Sequence, residues 1–450
     1  MIMFKKILIA NRGEIAVRVM RACRELGIAA VAVYSDADRE ALHVKLADEK
    51  FYIGEPPVSR SYLNMDRIIN AALESGAEAI HPGYGLLSEN HEFAHRCSEN
   101  GLVFIGPSPE SIRLMGNKLT ARRLLSEKGV PVVPGCDEPL QDEKEALLAA
   151  EKIGYPVMLK AAAGGGGIGM AAVASPEQMP QAFKECSWRG KASFGSETVY
   201  LEKLIENPRH IEVQVLGDKA GNVGHLLERE CSVQRRHQKI IEEAPSPFVD
   251  TELRDKLTSA ALMCARAIRY ENVGTVEFIV GEDREPYFLE MNTRLQVEHA
   301  VTEMITGLDL VHEQIKIACG QQIPLTSPKA RGWALECRVC AEDPETLLPA
   351  PGRITDLSLP ERRHLRIDHG LLPGYKVSAF YDSLLAKVVV WGESREAALL
   401  KMVEALQQIE IGGIKTNLPL LLRVLGNSHF KQGRYDTNLL SVINNSGGRQ

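Results

Sequence analysis

The sequence has no apolar run of the about 20 residues that a membrane-spanning helix needs. Its first ten residues are too short and too interrupted by lysine to be a signal peptide. Neither sign of charge dominates: the net charge is −6 over 450 residues, which argues against nucleic acid as a partner. Cysteine offers no disulfide framework. The nine cysteines are scattered, and an odd number in so long a chain is expected of reduced thiols in the cytoplasm. One Cys-x-x-Cys occurs, at Cys337 and Cys340, inside an alternating strand pattern. A spacing of three sends those thiols to opposite faces, and no second pair completes a zinc site. Two nucleotide signatures are also missing. There is no Gly-Lys-Ser/Thr of a P-loop, and the first strand ends in Asn11-Arg12-Gly13, a single glycine in place of G-x-G-x-x-G. That turn serves equally as plain structure or as an anion site at a helix N-terminus.

What is present is the composition of an ordinary globular protein, 44% hydrophobic and 25% charged, long enough for about two to four domains. Residues 1–114 alternate strand signals (6–10, 29–34, 78–81, 102–105) with helix signals (14–26, 63–75, 89–100), the pattern of an open parallel sheet wrapped by helices. His81-Pro82-Gly83-Tyr84-Gly85 follows the third of these strands, at the end where such sheets place ligand loops. His91-Glu92-Phe93-Ala94-His95 matches H-E-x-x-H, but no later histidine extends it, and a crossover helix leaves little room for a peptidase cleft. From about residue 330 strands dominate (333–340, 354–357, 364–368, 384–390), followed by an amphipathic helix over 395–408, which marks a third, mixed domain.

Two stretches carry chemistry. A strand over 155–160 ends on Lys160 and runs into Gly164-Gly165-Gly166-Gly167, then Ile168-Gly169. Glycines there let backbone N–H groups wrap phosphate oxygens, and without a following helix the phosphate is covered by a strand–loop–strand flap. At the ends of later strands, Glu202 and Lys203 stand where polar groups can read a purine edge, and Gln234-Arg235-Arg236-His237-Gln238-Lys239 forms a basic loop. The second stretch is 290–299, preceded by a strand over 274–280 and the turn Gly281-Glu282-Asp283-Arg284-Glu285. If Glu277 pairs opposite Glu290 in an antiparallel hairpin, both carboxylates share one face, and Asn292, two residues on, joins them. Facing carboxylates repel unless a cation lies between them, and Mg²⁺ is held in this way beside nucleotide phosphates. Arg338 shares a strand face with Glu336, opposite Leu335, Cys337 and Val339, so it points somewhere polar.

Taken in order, Ile9-Ala10-Asn11-Arg12-Gly13-Glu14-Ile15-Ala16, the 81–85 loop, the 160–170 glycine loop, residues 230–239 and residues 290–299 resemble the biotin carboxylase family of the ATP-grasp superfamily, over about residues 4–440. The resemblance implies an α/β and α+β fold: a Rossmann-like N-terminal domain (1–114), a central ATP-grasp domain (115–330) with a mobile lid over about 131–203, and a C-terminal biotin carboxylase domain (331–446). It implies ATP contacts at Lys118, Lys160, Gly164, Gly165, Gly166, Gly167, Glu202, Lys203, Ile205, His210, Gln234 and His237, with Glu277 and Glu290 beside them. It places two Mg²⁺ or Mn²⁺ ions on Glu277, Glu290 and Asn292. Bicarbonate would sit among Lys239, Arg294, Gln296, Val297 and Glu298, and the biotin ring by Tyr84, Gly85 and Arg338. Lys239, Arg294, Glu298 and Arg338 would be the catalytic set. Ile168 stands where many relatives carry lysine or arginine, which removes a charge clamp on phosphate.

Lys401-Met402 lies mid-helix rather than in a hairpin turn, so biotin is expected on a separate biotin carboxyl carrier protein, with a carboxyltransferase beyond it. A homodimer through the first helix, around Arg21 and Glu25, is expected from the same resemblance. The acceptor is expected to be acetyl-CoA, with propionyl-CoA, methylcrotonyl-CoA or pyruvate as alternatives. Other readings are a different carboxylate-activating ATP-grasp ligase and a non-catalytic nucleotide-binding subunit.

Overall fold

A computed structural model describes residues 3–162, 169–323 and 328–446. The glycines 164–167 and Ile168 lie outside the described residues. The first 114 residues form a parallel sheet in the order Glu49–Gly54, Ala29–Ser35, Lys6–Ile9, Ala79–His81, Val103–Phe104. Its inner strands are continuous apolar runs, as expected of strands covered on both faces by helices. Helices Gly13–Glu25, Met65–Ser75 and His91–Glu99 supply that cover. Asn64 and Asn90 each accept a backbone N–H at the start of their helices. The edge strand Glu49–Gly54 escapes the sequence pattern because Glu49, Lys50 and Tyr52 face solvent.

The largest sheet is antiparallel and has eight strands. Its order is Pro286–Asn292, Asn272–Val280, Arg209–Gly217, Val223–Arg235, Gln238–Ala244, Trp333–Cys340, Leu384–Gly392, Leu365–His369. Sequence reading places a domain change near residue 330. The sheet itself runs straight across that point, because Ile241 pairs with Cys337 and Glu242 with Glu336. One face packs on Thr251–Ala267, capped by Asp250, and farther along on Arg395–Gln407. The opposite face carries the ionisable residues described below.

A separate three-stranded sheet, Met170–Val173, Val157–Ala161 and Val199–Lys203, is antiparallel throughout, with Lys160 opposite both Met170 and Tyr200. Two antiparallel strands thus flank the segment that carries the glycines. Two helices, Glu143–Ile153 and Met179–Phe194, back this sheet and were not read from the sequence.

The basic loop at 234–239 is tighter than expected. Gln234 and Arg235 end one strand, Gln238 and Lys239 begin the next, and only Arg236 and His237 turn. Both take left-handed backbone, φ +49° and +66°, which suits a two-residue hairpin at a cost of roughly 1–2 kcal/mol per non-glycine residue.

Candidate active site

The hairpin forms in the register expected: Glu277 is the partner of Glu290, and Asn292 of Thr275. The next strand adds Glu212 opposite Glu277, and the one after it adds Arg229 opposite Glu212. A row of three acids and one arginine therefore crosses four strands on one face. Strand period explains why this row shares one face, since His210, Glu212 and Gln214 alternate with core residues Ile211, Val213 and Val215.

Lys239 resolves the repulsion. Its Nζ donates to Glu212 at 2.6 Å, Glu277 at 2.8 Å and Glu298 at 2.7 Å. Burial alone would lower this ammonium, but the three carboxylates overcome it and hold its pKa well above the ordinary lysine value. Glu277 is further met by His210 Nε2 at 2.8 Å, Asn292 Nδ2 at 2.8 Å and Gln296 Nε2 at 2.8 Å. Burial opposes its charge, yet Lys239 and His210 together keep the carboxyl well below its usual range. Glu298, fully buried, gives its other oxygen to Arg338 Nη2 at 2.9 Å. Burial again opposes, and Lys239, Arg338 and Arg229 prevail, so Glu298 is held ionised.

Arg294 donates to Glu89 at 2.7 Å, to Gln296 at 2.9 Å and to Asn292 at 2.8 Å. Lys387 donates to the Val297 carbonyl at 2.9 Å and lies 6.0 Å from the Tyr84 ring centre. Asn11 Nδ2 donates to the carbonyls of Pro82 and Tyr84, which ties the 81–85 loop to the first strand. Arg12 is committed to Asp38 through two hydrogen bonds of 2.6 and 2.7 Å. That turn is structural.

Among the residues expected to meet nucleotide, Lys160 pairs with Glu202, as does Arg122. Lys203 donates to the carbonyls of Gly154 and Tyr155, so it braces the three-stranded sheet. Gln234 Nε2 meets His210 Nδ1 at 2.8 Å. Ile205 lies against Gly281, joining this sheet's end to the hairpin turn. Lys118 opens a helix capped by Asn117 and reaches Glu290 at 3.3 Å. Burial and the nearby His210 and Lys160 lower the His237 pKa, keeping its ring neutral. Glu277, Glu290 and Asn292 offer hard oxygen donors on adjacent strands, the donor chemistry that Mg²⁺ accepts. Donors crowd Glu277, whereas the ion pair to Glu290 is the longer 3.3 Å one. The set fits a metal bound together with phosphate oxygens.

Gly85 is exposed and distinct from these contacts. His95 of the H-E-x-x-H pattern pairs at 3.4 Å with Glu99, and neither it nor His91 belongs to a metal-capable group among the described residues. Arg21 pairs with Asp368, and Glu25 with His312, within the chain.

Six residues around the site went unread in the sequence: Glu89, Arg122, Glu212, Arg229, Lys387 and Glu242, the last accepting Arg338 Nε at 2.6 Å. Glu212 had a signal in the alternation with core residues. Glu242 had none, because a one-residue bulge at Ile240 turns it onto the face of Lys239: Val233 pairs with Ile241, and Gln234 with Lys239.

Three family models match in chain order: the biotin carboxylase N-terminal domain over residues 3–112, the ATP-binding domain of the carbamoyl-phosphate synthase L chain over 117–326, and the biotin carboxylase C-terminal domain over 336–442. A biotin carboxylase of Halalkalibacterium halodurans is 54% identical over 437 residues, 97% of each chain. This chain belongs to the biotin carboxylase family. The biotin carboxylase–beta-gamma-ATP complex from Campylobacter jejuni is similar at TM-score 0.96 and 48% identity, over 98% of this chain and 99% of that one. The biotin carboxylase domain dimer of Hydrogenobacter thermophilus 2-oxoglutarate carboxylase, in complex with MgADP, ADP and bicarbonate, is similar at TM-score 0.95 and 47% identity, over 98% of both chains. As a biotin carboxylase the chain is an ATP-dependent ligase with a Rossmann-like N-terminal domain and an ATP-grasp domain.

Proposed function

We propose that the chain carboxylates biotin on a separate carrier protein, using ATP and bicarbonate through carboxyphosphate, and hands it to a carboxyltransferase. One observation carries the reading: an ionised, buried Glu298 whose two oxygens are held by Lys239 and Arg338. Bicarbonate is a poor nucleophile until it loses its proton, and its carbon becomes open to attack only once one of its oxygens has taken the γ-phosphoryl group with ADP as leaving group. An entering bicarbonate takes Lys239 and Arg294 as partners, which frees Glu298 to accept the proton. Lys118, Lys160 and the backbone of the glycine loop align the triphosphate, and His210, Gln234, His237, Glu202, Lys203 and Ile205 frame the nucleotide. Divalent metal, Mg²⁺ or Mn²⁺, on Glu277, Glu290 and Asn292 supplies charge neutralisation on the phosphates. The sheet at 157–203 excludes water from carboxyphosphate, which hydrolyses readily. Arg338 stabilises the ureido oxygen as its nitrogen attacks, and the loop carrying Tyr84 and Gly85 receives the biotin ring.

Acetyl-CoA is the acceptor we favour for the complete system, although the Hydrogenobacter relative belongs to a 2-oxoglutarate carboxylase. A homodimer is proposed after the same relative. The nine cysteines are all unpaired, which supports a reducing, cytoplasmic setting. No helix among the described residues is long and apolar enough to cross a membrane. The test is ADP release with free biotin and bicarbonate, each omitted in turn. Release that needs bicarbonate and rises with biotin supports the reading. Indifference to biotin points to another ATP-grasp ligase, and no release at all to a regulatory subunit.

A further inference from the structure

Behind Arg338 lies a second pair of facing acids that the reaction above leaves unused. Glu242 and Glu336 are partners on adjacent antiparallel strands, so their side chains stand on one face, and both are 0% exposed. Glu242 Oε1 accepts Arg338 Nε at 2.6 Å. Its Oε2 and both oxygens of Glu336 accept no hydrogen bond among the described residues. Two bare carboxylates side by side in a dry sheet face are prohibitively unfavourable.

The facing cations are already committed. Arg338 serves Glu242 and Glu298, and Lys239 serves Glu212, Glu277 and Glu298. Lys387, opposite Arg338 on the next strand, donates to Val297 and lies 3.5 Å from Glu14 and 3.9 Å from Asp368.

We propose that Glu336 is a neutral acid whose O–H donates to Glu242 Oε2, and that this pair is a positioning device which aims Arg338 at Glu298 and the biotin acceptor. Burial, countered only in part by Lys387 and reinforced by the Glu242 charge, lifts the Glu336 carboxyl well above its ordinary value. With Oε2 tied up, Glu242 presents only Oε1 to the guanidinium; Nε and Nη2 both lie against that one oxygen, at 2.6 and 2.5 Å, in the orientation that lets Nη2 also reach Glu298 at 2.9 Å. A second charge on Glu336 would draw Arg338 back along the strand and off Glu298. The proton stays within the pair throughout, and Glu336 touches no substrate.

Biotin as the acceptor rests on the carboxylation reading, whereas the shared proton does not, and two measurements separate them. At about pH 8 ordinary carboxyls are ionised, so an infrared difference spectrum between the intact protein and Glu336→Gln reports a protonated carboxyl at this position. A carboxylic-acid band lost in the variant is expected, and no difference overturns the proposal. The second measurement is kinetic. Glu336→Leu leaves Glu242 without its donor, and kcat/KM for free biotin should fall about tenfold or more. Bicarbonate-dependent ATP cleavage without biotin should fall less than the biotin term, because Lys239 still holds Glu298. The amide of Glu336→Gln can donate in place of the acid, so it should recover most of the biotin term. A glutamine variant as impaired as the leucine one overturns the positioning role. Absence of bicarbonate-dependent ATP cleavage in the parent would instead sink the carboxylation reading and leave the infrared result standing.

Discussion

Lys239→Met removes the cation shared by Glu212, Glu277 and Glu298 while keeping much of the stem's bulk. Each carboxylate retains another partner: Arg229 for Glu212, His210 for Glu277 and Arg338 for Glu298. The stability cost should therefore sit at the low end of the roughly 3–5 kcal/mol typical of a broken buried ion pair. Turnover should suffer more. A preorganised donor aimed at developing negative charge is worth about 10²–10³-fold, or roughly 2.7–4 kcal/mol. The pH dependence has a definite sign. Glu298 is held below its ordinary value, so its contribution to stability is present above the unfolded value of about 4.3 and is lost as pH falls through the folded one. Losing Lys239 raises that folded value, so the acid-side decline in stability and turnover should move to higher pH. Bicarbonate-dependent ADP release followed from about pH 5 to 8, with nucleotide affinity titrated separately, is the assay. Parental kcat and an unmoved acid limb would refute the shared-cation account.

Arg294→Ala cuts the link from Glu89 to Gln296 and Asn292, and should lower turnover by about 10²-fold or more with near-normal ATP affinity; equal loss of both counts against a bicarbonate role. Glu298→Gln keeps the shape but not the base, and should cost about 10²–10⁴-fold in bicarbonate-dependent ADP release. Chelation of divalent ions should abolish ADP release, and Glu290→Gln should raise the Mg²⁺ concentration needed to restore it, as read from a metal titration. Glu14 is buried without a hydrogen-bond donor among the described residues, and burial, offset in part by Lys387, lifts its carboxyl to about 7. A raised carboxyl costs stability that accumulates as pH climbs from the unfolded to the folded value, to about 3 kcal/mol. Glu14→Gln should therefore raise the thermal midpoint more at about pH 8 than at pH 5.

The parts of this site that follow local periodicity were legible in the sequence. Glu277, Glu290 and Asn292 could be placed on one face because two short strands and an obvious turn fix the register. Arg338 was legible for the same reason. What stayed hidden depends on pairing between distant segments or on broken periodicity. Glu89 reaches Arg294 from a domain 205 positions earlier. Glu242 is displaced by the bulge at Ile240, and no composition signal marks a bulge of that kind. The resemblance to relatives supplied roles that spacing alone did not, for instance a bicarbonate pocket in place of a mere cluster of ion pairs.

The pairing of Gln238–Ala244 with Trp333–Cys340 has a mechanical corollary. Glu277 and Arg338 are thereby inlaid in one continuous hydrogen-bonded sheet, which fixes their spacing across the strands between them. Cutting the chain near residue 330 would strip a flank of unpaired amides along Gln238–Ala244. Such a fragment should stick to itself rather than survive as half an enzyme.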